Sequence, residues 1–165
     1  MKTAKFGGSS LASAAQIRKV CDIITADTSR RLIIVSAPGK RTAQDTKVTD
    51  LLIQAAEARL THQDGEQEMG LVEARYVEIA SGLGLEQDDV DPIIADLRHR
   101  LQADTADEGL FLDTMKAAGE ANSARLTAAF LRHRGVDAHY VDPGEAGMIL
   151  SDEPGNARVL TQSYG

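Results

Sequence analysis

The chain has 165 residues, a length that fits one domain able to bury a hydrophobic core. Apolar residues make up 42% and charged residues 26%, which is typical of a globular chain and excludes an intrinsically disordered one. The formal net charge of −7, the absence of Trp and an aromatic content of only 4% disfavour nucleic-acid binding, which needs clustered cations and stacking rings.

The sequence also lacks the signals of membrane, disulfide-bonded and zinc proteins. No apolar run approaches the roughly 20 residues of a membrane span, and the chain does not start like a signal peptide. The single cysteine, Cys21, excludes an internal disulfide bond and fits a reducing compartment, so we expect a cytoplasmic location. None of the four histidines has metal-ligand spacing to Cys or His, so no metal site is predicted.

The first part of the chain predicts a strand, a helix and a second strand. Residues 1–6 indicate a short strand that ends at a glycine pair, after which Ser9 and Ser10 offer N-cap oxygens for a helix. Residues 32–35 form a continuous apolar run, typical of a parallel strand covered on both faces. The helix between the strands carries an apolar stripe of Ile17, Val20, Cys21 and Ile24.

Helical patterns dominate the middle of the chain. A polar loop, residues 40–47, leads to a helix that opens at Thr49. Pro92 suits the first position of a later helix, and Gly119 interrupts the last helical pattern, which runs from 110 to 134. The helix before Pro92 has an apolar stripe of Met69, Val72, Tyr76, Ile79 and Leu83.

Two further strands are predicted at residues 138–141 and 148–150. The order strand, helix, strand, several helices, strand is typical of a parallel sheet with helices on its faces. We therefore expect an α/β fold, a three-layer sandwich with a mainly parallel sheet.

Ligands bind beyond the carboxyl ends of the strands in such sheets, and the first candidate place is the run Lys5-Phe6-Gly7-Gly8-Ser9-Ser10. The glycines leave backbone N–H groups bare for an anion, the following helix points its positive end there, and Lys5 adds a mobile cation. The alternative is a plain strand-to-helix turn with a capping serine, because the run is neither a P-loop nor a dinucleotide fingerprint.

Two other places could complete a site. Ser36 and Thr49 offer hydroxyl groups after the second strand, although a loop and a Thr-capped helix explain them equally simply. Glu120 follows the glycine that interrupts the last helical pattern, so its carboxylate could accept hydrogen bonds from an ammonium group. The alternative is an ordinary solvated glutamate.

The chain contains five characteristic stretches in the order Lys5–Ser10, Ser36-Ala37, Val48–Leu52, Gly119–Ser123 and Val141–Gly147. Together they resemble the aspartate kinase family, whose members have the amino-acid kinase fold. The likeness covers nearly all of the chain, and the ordered set is much more specific than any one motif.

The resemblance implies a transfer of the γ-phosphoryl group of ATP, with magnesium, to the side-chain carboxylate of L-aspartate. This reaction is the first step towards lysine, threonine and methionine. By the same resemblance, Lys5–Ser9 would contact the phosphates, with Lys5 as the catalytic cation. Ser36, Thr49 and Glu120 would bind aspartate, and Glu120 would take its α-ammonium group.

The family's catalytic domain continues well past residue 165, with an arginine and an aspartate in a Gly-Arg-Gly-Gly-Ser-Asp element. We therefore expect residues 1–165 to be the amino-terminal, substrate-binding lobe of an incomplete amino-acid kinase fold, without the ATP lobe or the regulatory domains. Such a fragment is expected to be inactive alone. Its open sheet edge would favour association, including homo-oligomers.

The sequence leaves two alternative functions open. One is a kinase for another small amino acid, such as glutamate. The other is a non-catalytic module that binds aspartate or assembles with a partner chain.

Overall fold

A parallel pair of strands and five α-helices make up most of the computed structural model, which describes residues 1–164. The chain begins with β1 (Lys2–Phe6), a 3-10 turn (Gly8–Ser10), α1 (Ala14–Thr25) and β2 (Arg30–Val35). The remaining elements are α2 (Val48–Leu60), α3 (Glu66–Leu83), α4 (Gln87–Leu101), α5 (Glu108–His133) and a 3-10 turn (Thr161–Tyr164).

The two strands confirm the α/β class with parallel pairing, and Phe6 lies opposite Val35 in the register. One face of the pair packs on the core through Phe6, Ile33 and Val35. The other face is open, because Leu32 and Ile34 are 49% and 48% exposed. The prediction that β2 is covered on both faces is therefore wrong for residues 1–164.

The predicted third and fourth strands are also absent from the described part of the chain. Residues 138–141 form no strand, and residues 148–150 contribute only an isolated antiparallel bridge between Leu150 and Val159. Val141 and Leu150 are 61% and 52% exposed. An apolar extended segment becomes a strand only where a neighbouring strand accepts its backbone hydrogen bonds, and here none lies alongside.

Two helices begin elsewhere than predicted. α1 starts after Ser13, whose Oγ accepts a hydrogen bond from the Gln16 amide at 3.4 Å, so Ser9 and Ser10 belong to the preceding 3-10 turn. α4 starts well before Pro92, which lies inside the helix. Acidic residues in the first turn of α4 favour that earlier start, and the buried Val90 gives it core contacts.

Helix α5 runs without a break through Gly119, contrary to the predicted interruption. A Cβ at Gly119 would lie 2.7 Å from the Cβ of Ala37 in the loop after β2. The buried Tyr76 hydroxyl donates a hydrogen bond to the Gly119 carbonyl at 2.7 Å, and burial raises the pKa of this phenol. Glycine therefore serves close packing between α5 and the loop and does not end the helix.

The core lies between the helices and the inner face of the strands. α5 packs against α2, α4 and β2, and α3 packs against α1, α2 and α4. Each large side chain buried there contributes about 1.5–3 kcal/mol relative to an exposed one. None of the helices within residues 1–164 is both long and apolar enough to cross a bilayer. The largest fully buried side chains include Tyr76, Phe111, Leu52, Met69 and Met115.

We predict that Gly119→Ala destabilises the chain by about 1–3 kcal/mol, because the added methyl group overpacks the contact with Ala37. Gly70→Ala is the matched control, since Gly70 also lies inside a helix but a Cβ there meets no atom within 4 Å. That control should stabilise by about 0.5–1 kcal/mol. Urea unfolding of both variants checks the prediction, and equal effects of the two substitutions would contradict it.

We also predict that the Cys21 thiol is unreactive in the folded chain. Cys21 is free and fully buried, and burial raises its pKa to about 11. At pH 8 this lowers the thiolate fraction about a hundredfold relative to an exposed cysteine. Labelling with iodoacetamide should be slow without denaturant and fast in urea. Rapid stoichiometric labelling of the folded chain would show that the site is open.

Candidate functional site

A cleft of about 430 Å³ lies beyond the carboxyl ends of β1 and β2. Its walls come from the glycine turn after β1, the loop after β2, the start of α2 and the middle of α5. Parallel strands deliver both turns to the same edge, which is where ligands bind in open parallel sheets. The lining residues are Gly8, Ser9, Ser36, Ala37, Pro38, Gly39, Lys40, Lys47, Thr49 and Glu120.

Two glycines let the turns after β1 and β2 touch through their backbones. The Gly39 amide donates a hydrogen bond to the Gly8 carbonyl at 2.9 Å. A Cβ at Gly8 would lie 2.8 Å from the Ala37 carbonyl oxygen, and one at Gly39 would lie 2.8 Å from the Gly8 carbonyl carbon. Contacts this close to backbone atoms cannot be relieved by a side-chain rotation, so both positions require glycine.

Glu120 faces the cleft from α5. Its Oε1 accepts a hydrogen bond from the Ala37 amide at 3.2 Å, which ties the helix to the loop after β2. Within residues 1–164, Oε2 has no hydrogen-bond partner, and neither do the hydroxyl groups of Ser36 and Thr49. The cleft therefore presents one carboxylate oxygen and two hydroxyl groups that can bind a ligand.

The cleft also carries two cations. Lys40 and Lys47 line it, and neither forms a salt bridge with any residue in the described range 1–164. Glu120 is the single acidic side chain of the lining. Two free ammonium groups and one carboxylate complement a small ligand that bears acidic groups together with one ammonium group.

Part of the predicted phosphate-binding run lies outside the cleft lining. Phe6 packs against the core, whereas Lys5 pairs with Ile34 in the strand register and is exposed. Alternation along β1 places the Lys5 side chain on the open face of the strands. Gly7 precedes the 3-10 turn and does not line the cleft either. Among the predicted residues, the structure brings together Gly8, Ser9, Ser36, Thr49 and Glu120.

An ion pair that the sequence analysis missed holds the loop of residues 39–47. The Arg75 guanidinium on α3 donates to Asp45 at 2.7 Å and to the Gly39 carbonyl at 3.1 Å. A signal was present in the sequence, because Arg75 lies three residues after Val72 and four before Ile79 on the buried stripe of α3. A charged residue at such a position needs a buried partner.

Asp45 stays ionised because two arginines surround it. Hydrogen bonds from Arg41 are the largest cause that lowers the pKa of the Asp45 carboxyl, and the charges of Arg75 and Arg41 add to them. Burial lowers the pKa of the Arg75 guanidinium, but an arginine keeps its proton at neutral pH. The pair is therefore fully charged over the physiological range.

Metal ligands are not clustered in this part of the protein. Residues 1–164 contain no group of three or more His, Cys, Asp or Glu side chains that could hold a metal ion.

The chain is similar to known proteins over almost its whole described length. The model of the amino acid kinase family matches residues 3–164. The chain is similar to aspartokinase 3 of Bacillus subtilis, with 49% identity over 164 residues that cover 99% of this chain and 36% of that protein. It thus spans about a third of the length of this relative.

Solved structures give the same picture. The chain superposes on an aspartate kinase of Clostridium acetobutylicum with a TM-score of 0.73 and 31% identity, over 90% of this chain and 31% of that one. It superposes on E. coli aspartokinase III in complex with aspartate and ADP with a TM-score of 0.75, over 98% of this chain and 35% of that one. The identity of 22% in the second case supports a shared fold alone. The extent of the family match and the shared fold show that this chain belongs to the amino acid kinase family.

Proposed function

We propose that this chain forms the acceptor-binding part of an aspartokinase, which transfers the γ-phosphoryl group of ATP to the side-chain carboxylate of L-aspartate. The observation that carries the proposal is the convergence of Glu120, Ser36 and Thr49 on one cleft with two unpaired lysines. The 49% identity to the Bacillus subtilis aspartokinase 3 supports the choice of reaction.

The polar groups of the cleft match the groups of aspartate. The free oxygen of Glu120 accepts hydrogen bonds from the α-ammonium group, and the hydroxyl groups of Ser36 and Thr49 donate to a carboxylate. Lys40 and Lys47 offset the two negative charges of the ligand. Glutamate carries the same groups with one more methylene, so cleft length decides between the two acids.

Phosphoryl transfer to a carboxylate needs no general base, because the acceptor is already an anion. Catalysis then consists of positioning and charge neutralisation around the transferring group. We assign the phosphate side of the cleft to the backbone at Gly8 and Ser9, which line it. Lys5 as the catalytic cation stays a prediction, because its side chain leaves β1 on the open face and outside the cleft lining.

The proposed reaction uses a nucleotide. The residues of the cleft, in contrast, do not provide a set of ligands for magnesium. Glu120 is the single carboxylate of the cleft, and it is bonded to the Ala37 amide, so the residues present do not fit a magnesium site. None of the chemistry proposed for this chain depends on a metal held by these residues. A cytoplasmic location and association through the open edge of the sheet also stay predictions.

Glu120→Gln should weaken aspartate binding about tenfold or more, because the amide cannot offer an ionised partner to the ammonium group. Isothermal titration calorimetry of the 165-residue chain with aspartate, and with glutamate for comparison, measures the effect. Glu57→Gln is the matched control, since Glu57 is an exposed helical glutamate outside the cleft. Unchanged affinity for aspartate in the Glu120 variant would show that Glu120 does not bind the ammonium group.

We also predict that the 165-residue chain binds aspartate but does not turn over. It spans about a third of the length of its relatives, and the side chains of the cleft are those assigned to the acceptor. A coupled assay for ADP, with aspartate present and absent, tests this. Steady release that depends on both ATP and aspartate would show that residues 1–165 are a complete catalyst.

A further inference from the structure

One guanidinium group joins both ends of the loop between β2 and α2. Arg75 Nη1 donates to the Gly39 carbonyl at 3.1 Å, and Nη2 donates to the Thr46 carbonyl at 3.3 Å. Nη2 also contacts both carboxylate oxygens of Asp45, at 2.7 and 2.8 Å. The residues that directly follow Gly39 and Thr46 are the two cleft lysines, so Arg75 fixes the backbone beside each of them.

The burial of this ion pair argues for a role beyond stability. The Arg75 side chain is 4% exposed and the Asp45 side chain 12% exposed. Replacing a buried ion pair by apolar residues is often neutral or stabilising, so stability alone is weak grounds for such a pair. The loop ends are in any case joined by a hydrogen bond from the Val48 amide to the Pro38 carbonyl at 3.1 Å. Arg75 additionally fixes the backbone conformation of the residues between these two loop ends.

We propose that Arg75 is a positioning residue for acceptor binding, which fixes the loop of residues 39–47 so that Lys40 and Lys47 stand at the cleft that Glu120 enters from α5. The inference rests on the proposed function, because it takes the ligand to be a small amino dicarboxylate. Arg75 itself does not line the cleft, so it acts through the loop. With the ammonium group at Glu120, the two lysines are left to meet the carboxylates of the ligand.

A second arginine on the same carboxylate provides a matched control. The Arg41 side chain donates to Asp45 from Nε at 2.9 Å and from Nη2 at 3.0 Å, and it also pairs with Glu78. It is 37% exposed and bonds no backbone carbonyl of the loop. Exposed ion pairs contribute little, so Arg41 should matter far less for the position of the lysines.

Arg75→Lys and Arg41→Lys therefore form the test pair in the 165-residue chain. Lysine keeps the charge but loses the planar fork that bonds two carbonyls and a carboxylate together. By hydrogen exchange with mass spectrometry, Arg75→Lys should speed exchange in residues 39–47 about tenfold, while peptides from α3 to α5 stay protected. Arg41→Lys should leave this loop as in the unaltered chain.

Calorimetry with aspartate connects the loop to the ligand. Arg75→Lys should lower the affinity about tenfold, and Arg41→Lys less than about twofold. The double variant Lys40→Gln/Lys47→Gln should also lose affinity, but it should lose little more when combined with Arg75→Lys. This non-additivity separates a role through the lysines from a general structural role, for which the losses would add.

Wild-type loop protection in a folded Arg75→Lys variant, or additive affinity losses, would overturn the inference. If the unaltered chain does not bind aspartate, the proposed function fails, and the exchange experiment still decides whether Arg75 fixes the loop. If Arg75→Lys unfolds as a whole, Asp45→Asn replaces it and is compared with Arg41→Lys, because Asp45 is the partner of both arginines. Loop exchange faster in Asp45→Asn than in Arg41→Lys would support the role of the Arg75 pair, and equal exchange in the two variants would overturn it.

Discussion

The backbone contact between Gly8 and Gly39 is the constraint on which the cleft depends. β1 and β2 run parallel and end side by side, so the turns that follow them leave the strands at the same edge. The turns can meet only because neither glycine has a Cβ, and the hydrogen bond between them then fixes their separation. A side chain at either position would push the two turns apart, and both turns line the cleft.

Helix α5, which also lines the cleft, likewise comes close to its neighbour because it carries a glycine at the contact. Gly119 allows the helix to approach Ala37, and the next residue, Glu120, uses that approach to bond the Ala37 amide. The Tyr76 hydroxyl group donates a hydrogen bond to the carbonyl of Gly119. One turn of helix thus combines close packing with a carboxylate whose orientation is fixed before any ligand arrives. Such preorganisation reduces the side-chain entropy that binding would otherwise cost.

Patterns within single segments predicted most of what is local in this fold. The two strands, the apolar stripe of α1 and the two turns that line the cleft follow from residues close together in sequence. Local helix signals predict an interruption at Gly119 and a helix start at Pro92, because they consider each residue only within its own helix. Gly119 instead allows close packing against residue 37. Pro92 lies inside α4, because acidic and apolar residues extend that helix towards its amino terminus. Arg75 and Asp45 lie 30 positions apart, so their pairing is visible only in three dimensions.

The contacts that shape the cleft lie between residues 6 and 120 and join β1, β2, α2, α3 and α5. The segments after α5 that were expected to be strands take no part in these contacts. On the proposed function, recognition of the acceptor is therefore separable from transfer of the phosphoryl group. Recognition needs Glu120, the hydroxyl groups and a fixed loop, all of which this part of the chain holds by itself. Transfer also needs a nucleotide that is aligned with the backbone at Gly8, and the acceptor cleft does not provide that alignment by itself.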